Sequence, residues 1–185
     1  MKRSKMGIVA AATAGLLMSG CATRDYDRDP LNAEPLGPSS AAADLMDPAG
    51  RLLARASAEE VSEGVRVRVE AAGLAPGAYG AHIHAVGRCD APDFASAGPH
   101  WNPTDRQHGK DNPAGMHKGD LPNLLVGADG RGSFEYVVLG GAIGGGPNAM
   151  LDRDGGAVVI HQRPDDYRTD PTGNSGDRIA CGVLR

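Results

Sequence analysis

The sequence predicts an all-β domain, an antiparallel sandwich or barrel with two large functional loops. One segment alternates strictly, because Val65, Val67 and Val69 are separated by charged residues, as in a half-exposed strand. The chain contains 27 glycines and 13 prolines, which are typical of turns rather than of helix interiors. Two long segments, 87–120 and 162–177, follow neither a helical nor a strand period, and they fit functional loops on a rigid scaffold.

Further strands are predicted where apolar runs lie between turn signals such as Asp129-Gly130 and Asp154-Gly155. In chain order they are Leu52–Ala58, Tyr79–Val86, Leu124–Val126, Gly132–Leu139, Ala157–His161 and Arg178–Val183. The alanine content leaves room for a short helix. The domain is predicted to span residues 44–185, and about 140 residues are enough for one hydrophobic core.

Residues 1–20 are predicted to be a signal peptide, because three cations among the first five residues precede fifteen uncharged residues. This run is shorter than the roughly 20 residues that a helix needs to span a bilayer. Small residues directly before Cys21 resemble the lipobox of bacterial lipoproteins, in which the cysteine carries the lipid. Met18 departs from the leucine preferred there. An ordinary cleaved signal with an incidental Cys21 is the alternative.

A lipid on Cys21 predicts an exported, periplasmic protein anchored to a membrane, and Ala22 after it favours the outer membrane. Residues 21–43 are rich in Asp, Pro, Ala and Ser and are predicted to be a flexible tether. The net charge is −4, and loss of the three cations of residues 1–20 leaves −7. The chain has no basic stripe, which argues against nucleic acid as a partner.

Six histidines are the strongest chemical signal in the sequence. They are His82, His84, His100, His108, His117 and His161. His82 and His84 are two apart in a predicted strand, so both side chains leave the same face and can converge on one metal ion. An exposed pair without a role is the alternative for these two residues.

A second cluster lies within 21 residues of the long predicted loop: His100, His108, His117 and Asp120. Three imidazoles and one carboxylate form a closed tetrahedral set suited to zinc. Solvated loop histidines are the alternative.

His161 follows the apolar run 157–160, where a lone histidine is more often a satisfied core residue than a ligand. As a ligand, it adds a fourth nitrogen donor to His82, His84 and one loop histidine. Four imidazoles in a flattened arrangement favour Cu(II), the strongest divalent binder in the usual affinity order.

Five strings, in this order along the chain, together resemble the copper-zinc superoxide dismutase family. They are Ala81–His84, Gly98–Pro103, His117–Asp120, Val159–His161 and Gly173–Val183. Each string is weakly specific alone, but their joint occurrence from about residue 45 to residue 185 is specific. The resemblance implies an eight-stranded antiparallel Greek-key sandwich or barrel.

The resemblance also implies one copper and one zinc ion per subunit. Copper would be bound by His82, His84, His100 and His161, and zinc by His100, His108, His117 and Asp120. His100 would bridge the two ions. Asp165 would link His82 to His108, since outer carboxylates orient ligating histidines. Cys89 and Cys181 would form a disulfide, which leaves Cys21 for the lipid.

The activity implied is dismutation of superoxide to dioxygen and hydrogen peroxide by redox-cycling copper beside a structural zinc. His100 and Arg178 are the catalytic candidates: His100 supplies a proton, and Arg178 draws the anion toward the open copper face. A surface ion pair with Asp177 is the alternative for Arg178. The alternative functions are a periplasmic protein that binds or buffers copper and zinc without significant turnover, and a structural domain with a dead site. The resemblance leaves open a homodimer or a monomer.

Overall fold

The computed structural model describes residues 39–185. The predictions for the signal peptide, for Cys21 and for most of the tether therefore lie outside the described residues. Within residues 39–185, no helix has the length and apolar character needed to cross a membrane.

The described residues form nine strands and one short 3-10 turn, Ala95–Ala97. The strands are β1 (Ser40–Met46), β2 (Leu52–Val61), β3 (Gly64–Ala72), β4 (Gly77–Tyr79), β5 (Ala81–His84), β6 (Leu124–Val126), β7 (Arg131–Leu139), β8 (Ala157–His161) and β9 (Arg178–Val183). The predicted all-β class is confirmed. Only Gly80 separates β4 from β5, so the nine segments correspond to the eight predicted strands.

All strand pairs are antiparallel, and the longer sheet has the order β5-β8-β9-β1-β2-β3-β7. A single residue pair, Met46 with Cys181, joins β1 to β9. The sheet therefore curls at this point into two halves, and β4 pairs with β6 in a separate two-stranded sheet. The connections from β3 to β4 and from β6 to β7 cross between the halves, which is the Greek-key arrangement.

The core lies between these halves and is formed by alternate residues of the strands. Val65, Val67 and Val69 are at most 1% exposed, which confirms the predicted alternation in β3. Burying such side chains stabilises the fold by about 1.5–3 kcal/mol each. On the outer face, Arg66 and Arg68 form ion pairs with Glu135 of β7.

Strand β1 is not among the strands that the sequence predicts, since these begin at Leu52. Residues 40–43, predicted as part of the tether, pair with β2, and Ala41 and Ala43 face the core. Alternating alanines carry a weak hydrophobic period, which is why the sequence did not distinguish this strand from a linker. Among the described residues, the first strand therefore begins at Ser40, four positions before the predicted domain boundary at Asp44.

Two of the connecting loops pack against each other. The long loop (residues 85–123) connects β5 to β6, and the short loop (residues 162–177) connects β8 to β9. The Asp111 N–H donates to the Tyr167 carbonyl at 3.0 Å, across the two loops. Because β5 and β8 are antiparallel, the two loops leave this pair at opposite ends. The long loop returns at Leu124, which pairs with Tyr79, and His161, directly before the short loop, donates its N–H to the adjacent Gly80 carbonyl.

Candidate metal centre

Strand β5 lies between the histidine of strand β8 and the histidines of the long loop. His82 and His84 are buried on β5, and His161 ends the neighbouring strand β8. On its other side, β5 forms isolated bridges with the long loop, which join His82 to Asp120 and His84 to His100. Residues of the long loop therefore lie beside the strand histidines.

His82, His84, His100 and His161, here called the four-histidine cluster, have donor atoms that all lie within 4.8 Å of one another. The two longest distances between ring centroids are 6.4 Å for His82–His84 and 6.2 Å for His100–His161. The other four centroid distances are 3.9 to 5.7 Å. The two long distances are the diagonals of a four-sided arrangement, as a flattened copper site requires.

Each ring of this cluster keeps one nitrogen without a hydrogen bond from the protein. His84 and His161 donate their Nδ1–H to the carbonyls of Gly98 (2.8 Å) and Gly176 (3.1 Å), which turns Nε2 inward. The buried nitrogens without a partner are His82 Nδ1, His84 Nε2, His100 Nε2 and His161 Nε2. An unsatisfied buried group costs about 1–3 kcal/mol, so these four convergent nitrogens fit a bound ion.

Asp165 of the short loop connects the four-histidine cluster to the loop histidines. Its Oδ2 lies 2.8 Å from His82 Nε2 and its Oδ1 lies 2.9 Å from His108 Nε2, and all three side chains are fully buried. Burial raises the pKa of the Asp165 carboxyl, but the bonds to His108 and His82 outweigh it and hold this pKa well below its usual range. These contacts leave the other ring nitrogen, His108 Nδ1, facing Asp120 Oδ1 at 3.0 Å.

His100, His108, His117 and Asp120, here called the Asp120 cluster, have donor atoms at ligand spacing. Asp120 Oδ1 lies 3.0 Å from Nδ1 of both His100 and His108, and 3.1 Å from Nδ1 of His117. His117 Nδ1 lies 3.4 Å from His100 Nδ1. Ligands at 2.0–2.1 Å from a tetrahedral zinc ion are about 3.3 Å apart, so these atoms fit zinc.

Asp120 is oriented by the backbone of its own loop. Its Oδ2 accepts N–H bonds from Gly109 (2.9 Å) and His117 (3.0 Å), so Oδ1 is free to face the three rings.

His82 is also close to this cluster, since its donor atoms group within 4.8 Å of His100, His108 and Asp120. We nevertheless place His117 there, because His117 Nδ1 faces Asp120 Oδ1 whereas His82 Nε2 is occupied by Asp165.

Burial keeps the histidines of the four-histidine cluster neutral. It lowers the pKa of His82 to about 3 and that of His161 to about 4, although each ring keeps one hydrogen bond to the protein. It also lowers the pKa of His84 and of His100. These rings are therefore neutral at pH 7, and each has one nitrogen without a proton that can bind a metal ion.

His108 behaves in the opposite way. Burial lowers its pKa, but hydrogen bonds and charge from Asp120 and Asp165 more than compensate and raise it to about 9. A zinc ion at this position has to displace a proton at neutral pH.

Arg178, the first residue of β9, lies at the edge of the four-histidine cluster. Its guanidinium donates to the carbonyls of Phe94 (2.7 Å) and Gly98 (2.8 Å), and Gly98 also holds His84. Within residues 39–185, no ion pair between Arg178 and Asp177 is observed, although the charge of Asp93 acts on the guanidinium.

The predicted disulfide between Cys89 and Cys181 is confirmed. It ties the long loop to β9 and belongs to a small buried cluster with Phe94, Ala97 and Val159. The residues that hold Arg178 are thereby fixed to the sheet.

Two residues that no sequence motif identifies form hydrogen bonds with backbone groups of the site. Asn123 forms a reciprocal pair with the Asp165 backbone: Oδ1 accepts the Asp165 N–H at 2.8 Å, and Nδ2 donates to the Asp165 carbonyl at 3.0 Å. Asp170 Oδ1 accepts the His108 N–H at 2.6 Å. Asn and Asp in loops often bond to backbone groups, but the sequence does not say to which ones.

Comparison with known proteins agrees with this geometry. The family model described as copper/zinc superoxide dismutase matches residues 50–184. A Cu-Zn superoxide dismutase of Aquifex aeolicus is 42% identical over 147 residues, covering 77% of this chain and 86% of that protein. One of Caulobacter vibrioides is 44% identical over 131 residues, covering 68% and 74%.

Solved structures give the same result. The crystal structure of a SOD-like protein from Bacillus subtilis is 40% identical with a TM-score of 0.74, over 78% of this chain and 97% of that one. The Cu/Zn superoxide dismutase from Brucella abortus is 27% identical with a TM-score of 0.61, over 79% and 99%.

Proposed function

This chain belongs to the copper/zinc superoxide dismutase family, and we propose that the four-histidine cluster holds its copper and the Asp120 cluster its zinc. The enzyme converts two superoxide anions and two protons to dioxygen and hydrogen peroxide, with one copper and one zinc ion. The observation that carries the assignment is the set of four buried imidazole nitrogens in the four-histidine cluster, which converge without a hydrogen bond from the protein.

His100 is the residue shared by the two clusters. Its Nδ1 faces Asp120 at 3.0 Å, while its Nε2 is buried, unpaired and part of the four-histidine cluster. One imidazole can therefore hold both ions. When bound, copper supplies the one-electron redox couple that the reaction needs and that zinc lacks.

Arg178 binds and orients the substrate anion. The chain without residues 1–20 has a net charge of −7, so a local cation is needed to attract superoxide. Two backbone carbonyls fix the guanidinium beside His84, and among the carboxylates of residues 39–185 only the charge of Asp93 acts on it, without an ion pair. A fixed guanidinium with free donors suits a small oxyanion.

His100 Nε2 is the atom to which we assign one of the two protons that the peroxide requires, and solvent supplies the other. It is unpaired within the protein, and the ring stays attached to the Asp120 side through Nδ1. Asp165 keeps the His82 and His108 rings in place while that proton moves.

The test is superoxide dismutation by the chain loaded with one copper and one zinc, beside a His161→Ala variant. Fast copper-dependent turnover that falls to background in the variant supports the assignment, because His161 belongs to the copper set alone. Tight binding of both metals by the unaltered chain, with turnover no faster than buffer, would instead indicate a metal-buffering protein.

We further propose that residues 1–20 are a cleaved signal peptide and that a lipid on Cys21 anchors the enzyme to the periplasmic face of the outer membrane. The charged head, the short apolar run and the small residues before Cys21 support this. Mass spectrometry of the mature protein should show a lipidated N-terminal Cys21. Cys21→Ser should move an equally active enzyme from the membrane to the soluble fraction. Sedimentation of that soluble form also distinguishes a monomer from a homodimer.

A further inference from the structure

A cavity of about 680 Å³ opens beside the Asp120 cluster rather than beside Arg178. Its walls are largely apolar and include Pro99, Trp101, Pro103 and Pro147. His100 and His117 also line it. The cavity is therefore separate from the face that we assign to the substrate.

His117 is the most accessible member of the Asp120 cluster. Its side chain is 7% exposed, against 3% for His100, 1% for Asp120 and 0% for His108. Its second nitrogen, Nε2, has no hydrogen bond within residues 39–185, and Asp170 Oδ1 is 4.0 Å away. An ion that arrives through the cavity meets this edge of the cluster first.

Asp170 stands between the cavity and the cluster. Its side chain is 45% exposed, so its carboxylate contacts solvent on one side and faces His117 on the other. Oδ1 holds the His108 N–H, whereas Oδ2 accepts no hydrogen bond from the described residues. A carboxylate oxygen is an ordinary zinc ligand, so Oδ2 is free to bind an ion temporarily.

The other approaches to the cluster are less favourable for a cation. The hollow on the opposite side of His117 is lined by Lys118, and the copper face carries Arg178. The large cavity has two carboxylates, Asp152 and Asp170, against one cation, Arg106.

We propose that zinc enters and leaves through this cavity and that Asp170 Oδ2 binds the ion before His117 does. This inference rests on the proposed zinc assignment. Asp170 replaces part of the hydration shell before the histidines complete the tetrahedral set, so the ion is never without ligands. Asp170 then speeds uptake and release together.

The test compares the zinc-free full chain with an Asp170→Asn variant. A chromogenic zinc chelator reports both uptake and chelator-driven release, through its absorbance in a stopped-flow instrument. Asparagine keeps an oxygen for the His108 N–H but loses the charge and most of the affinity for zinc. We expect both rates to fall about tenfold, equivalent to about 1.4 kcal/mol. Asp129→Asn is the control, since Asp129 also accepts a backbone N–H, from Arg131, in the exposed turn between β6 and β7. It should leave both rates unchanged.

An unchanged uptake rate in Asp170→Asn, or a faster release rate, would overturn the proposal, because Asp170 would then only support His108. Equal slowing by the Asp129 control would also overturn it, because the effect would be one of net charge. Zinc content at equilibrium tests the zinc assignment independently of the proposed entry route. If His117→Ala keeps full zinc content, the zinc assignment itself fails, whatever the rates of the Asp170 variant.

Discussion

The two halves of the metal centre are held by different means. Three residues of the four-histidine cluster, where we propose that copper binds, lie on paired strands, and backbone carbonyls or Asp165 fix their rings. The Asp120 cluster, where we propose that zinc binds, belongs entirely to the long loop, and Asp120 lies at ligand spacing from all three of its rings. The sheet therefore forms the copper side without metal, whereas the zinc side depends on charge that a metal ion or a proton must balance.

The largest expected effect comes from removing the carboxylate at the centre of the zinc side. Asp120→Ala should reduce zinc content from one ion to nearly none, because Asp120 Oδ1 faces all three imidazoles. Breaking such a buried charged network costs about 3–5 kcal/mol. Copper content should stay near one, since the strand histidines remain in place.

Metal analysis by mass spectrometry and unfolding by denaturant measure the two quantities. Asp165→Ala is the informative partner variant, because Asp165 touches both sides and should weaken both. Equal loss of copper and zinc in Asp120→Ala would show that the two sides do not form independently.

The second effect concerns the copper side alone. Arg178→Ala should lower kcat/KM at least tenfold, within the roughly 10- to 1000-fold range of electrostatic steering, with copper and zinc content unchanged. The remaining rate should depend less on ionic strength, because the local cation is gone. Arg178→Lys keeps the charge but not the two fixed carbonyl bonds, so its kcat/KM should lie between those of the unaltered chain and of Arg178→Ala. Pulse radiolysis at several salt concentrations measures this, and an unchanged salt dependence in Arg178→Ala would remove Arg178 from substrate guidance.

The difference between the halves also explains what could be predicted from the sequence. The two histidine clusters could be predicted because histidine is chemically distinctive and the five strings together resemble one family. Asn123 and Asp170 were not, because they act on backbone groups 42 and 62 positions away. Strand β1 was not predicted for a related reason, since alternating alanines give little hydrophobic contrast.

The third effect is a difference in pH dependence between the two metals. The pKa of His108 is raised to about 9, so zinc binding should strengthen up to about tenfold per pH unit from pH 6.5 to 9 and then level off. Copper binding should be flat over this range, because His82 and His161, with pKa values of about 3 and 4, are already unprotonated. Competition titrations against a chelator of known affinity at each pH measure both. A flat zinc curve would mean that His108 carries no proton in the zinc-free protein.

The smallest effect separates positioning from coordination. Asn123→Ala removes two hydrogen bonds that hold the Asp165 backbone, without touching any proposed ligand. Zinc affinity should fall about tenfold, at the lower end of what outer residues contribute. Copper affinity should change less, because the β5–β8 pairing still positions His82 and His161.

Asn123→Asp is the matched variant, because it keeps the oxygen that accepts the Asp165 N–H and loses the amide donor. It should recover part of the zinc affinity if geometry is what matters. Equal losses of zinc and copper affinity in Asn123→Ala would show that Asn123 stabilises the two loops in general rather than the zinc site. A selective loss of zinc would show that the loop side, unlike the strand side, depends on each bond that fixes its carboxylates.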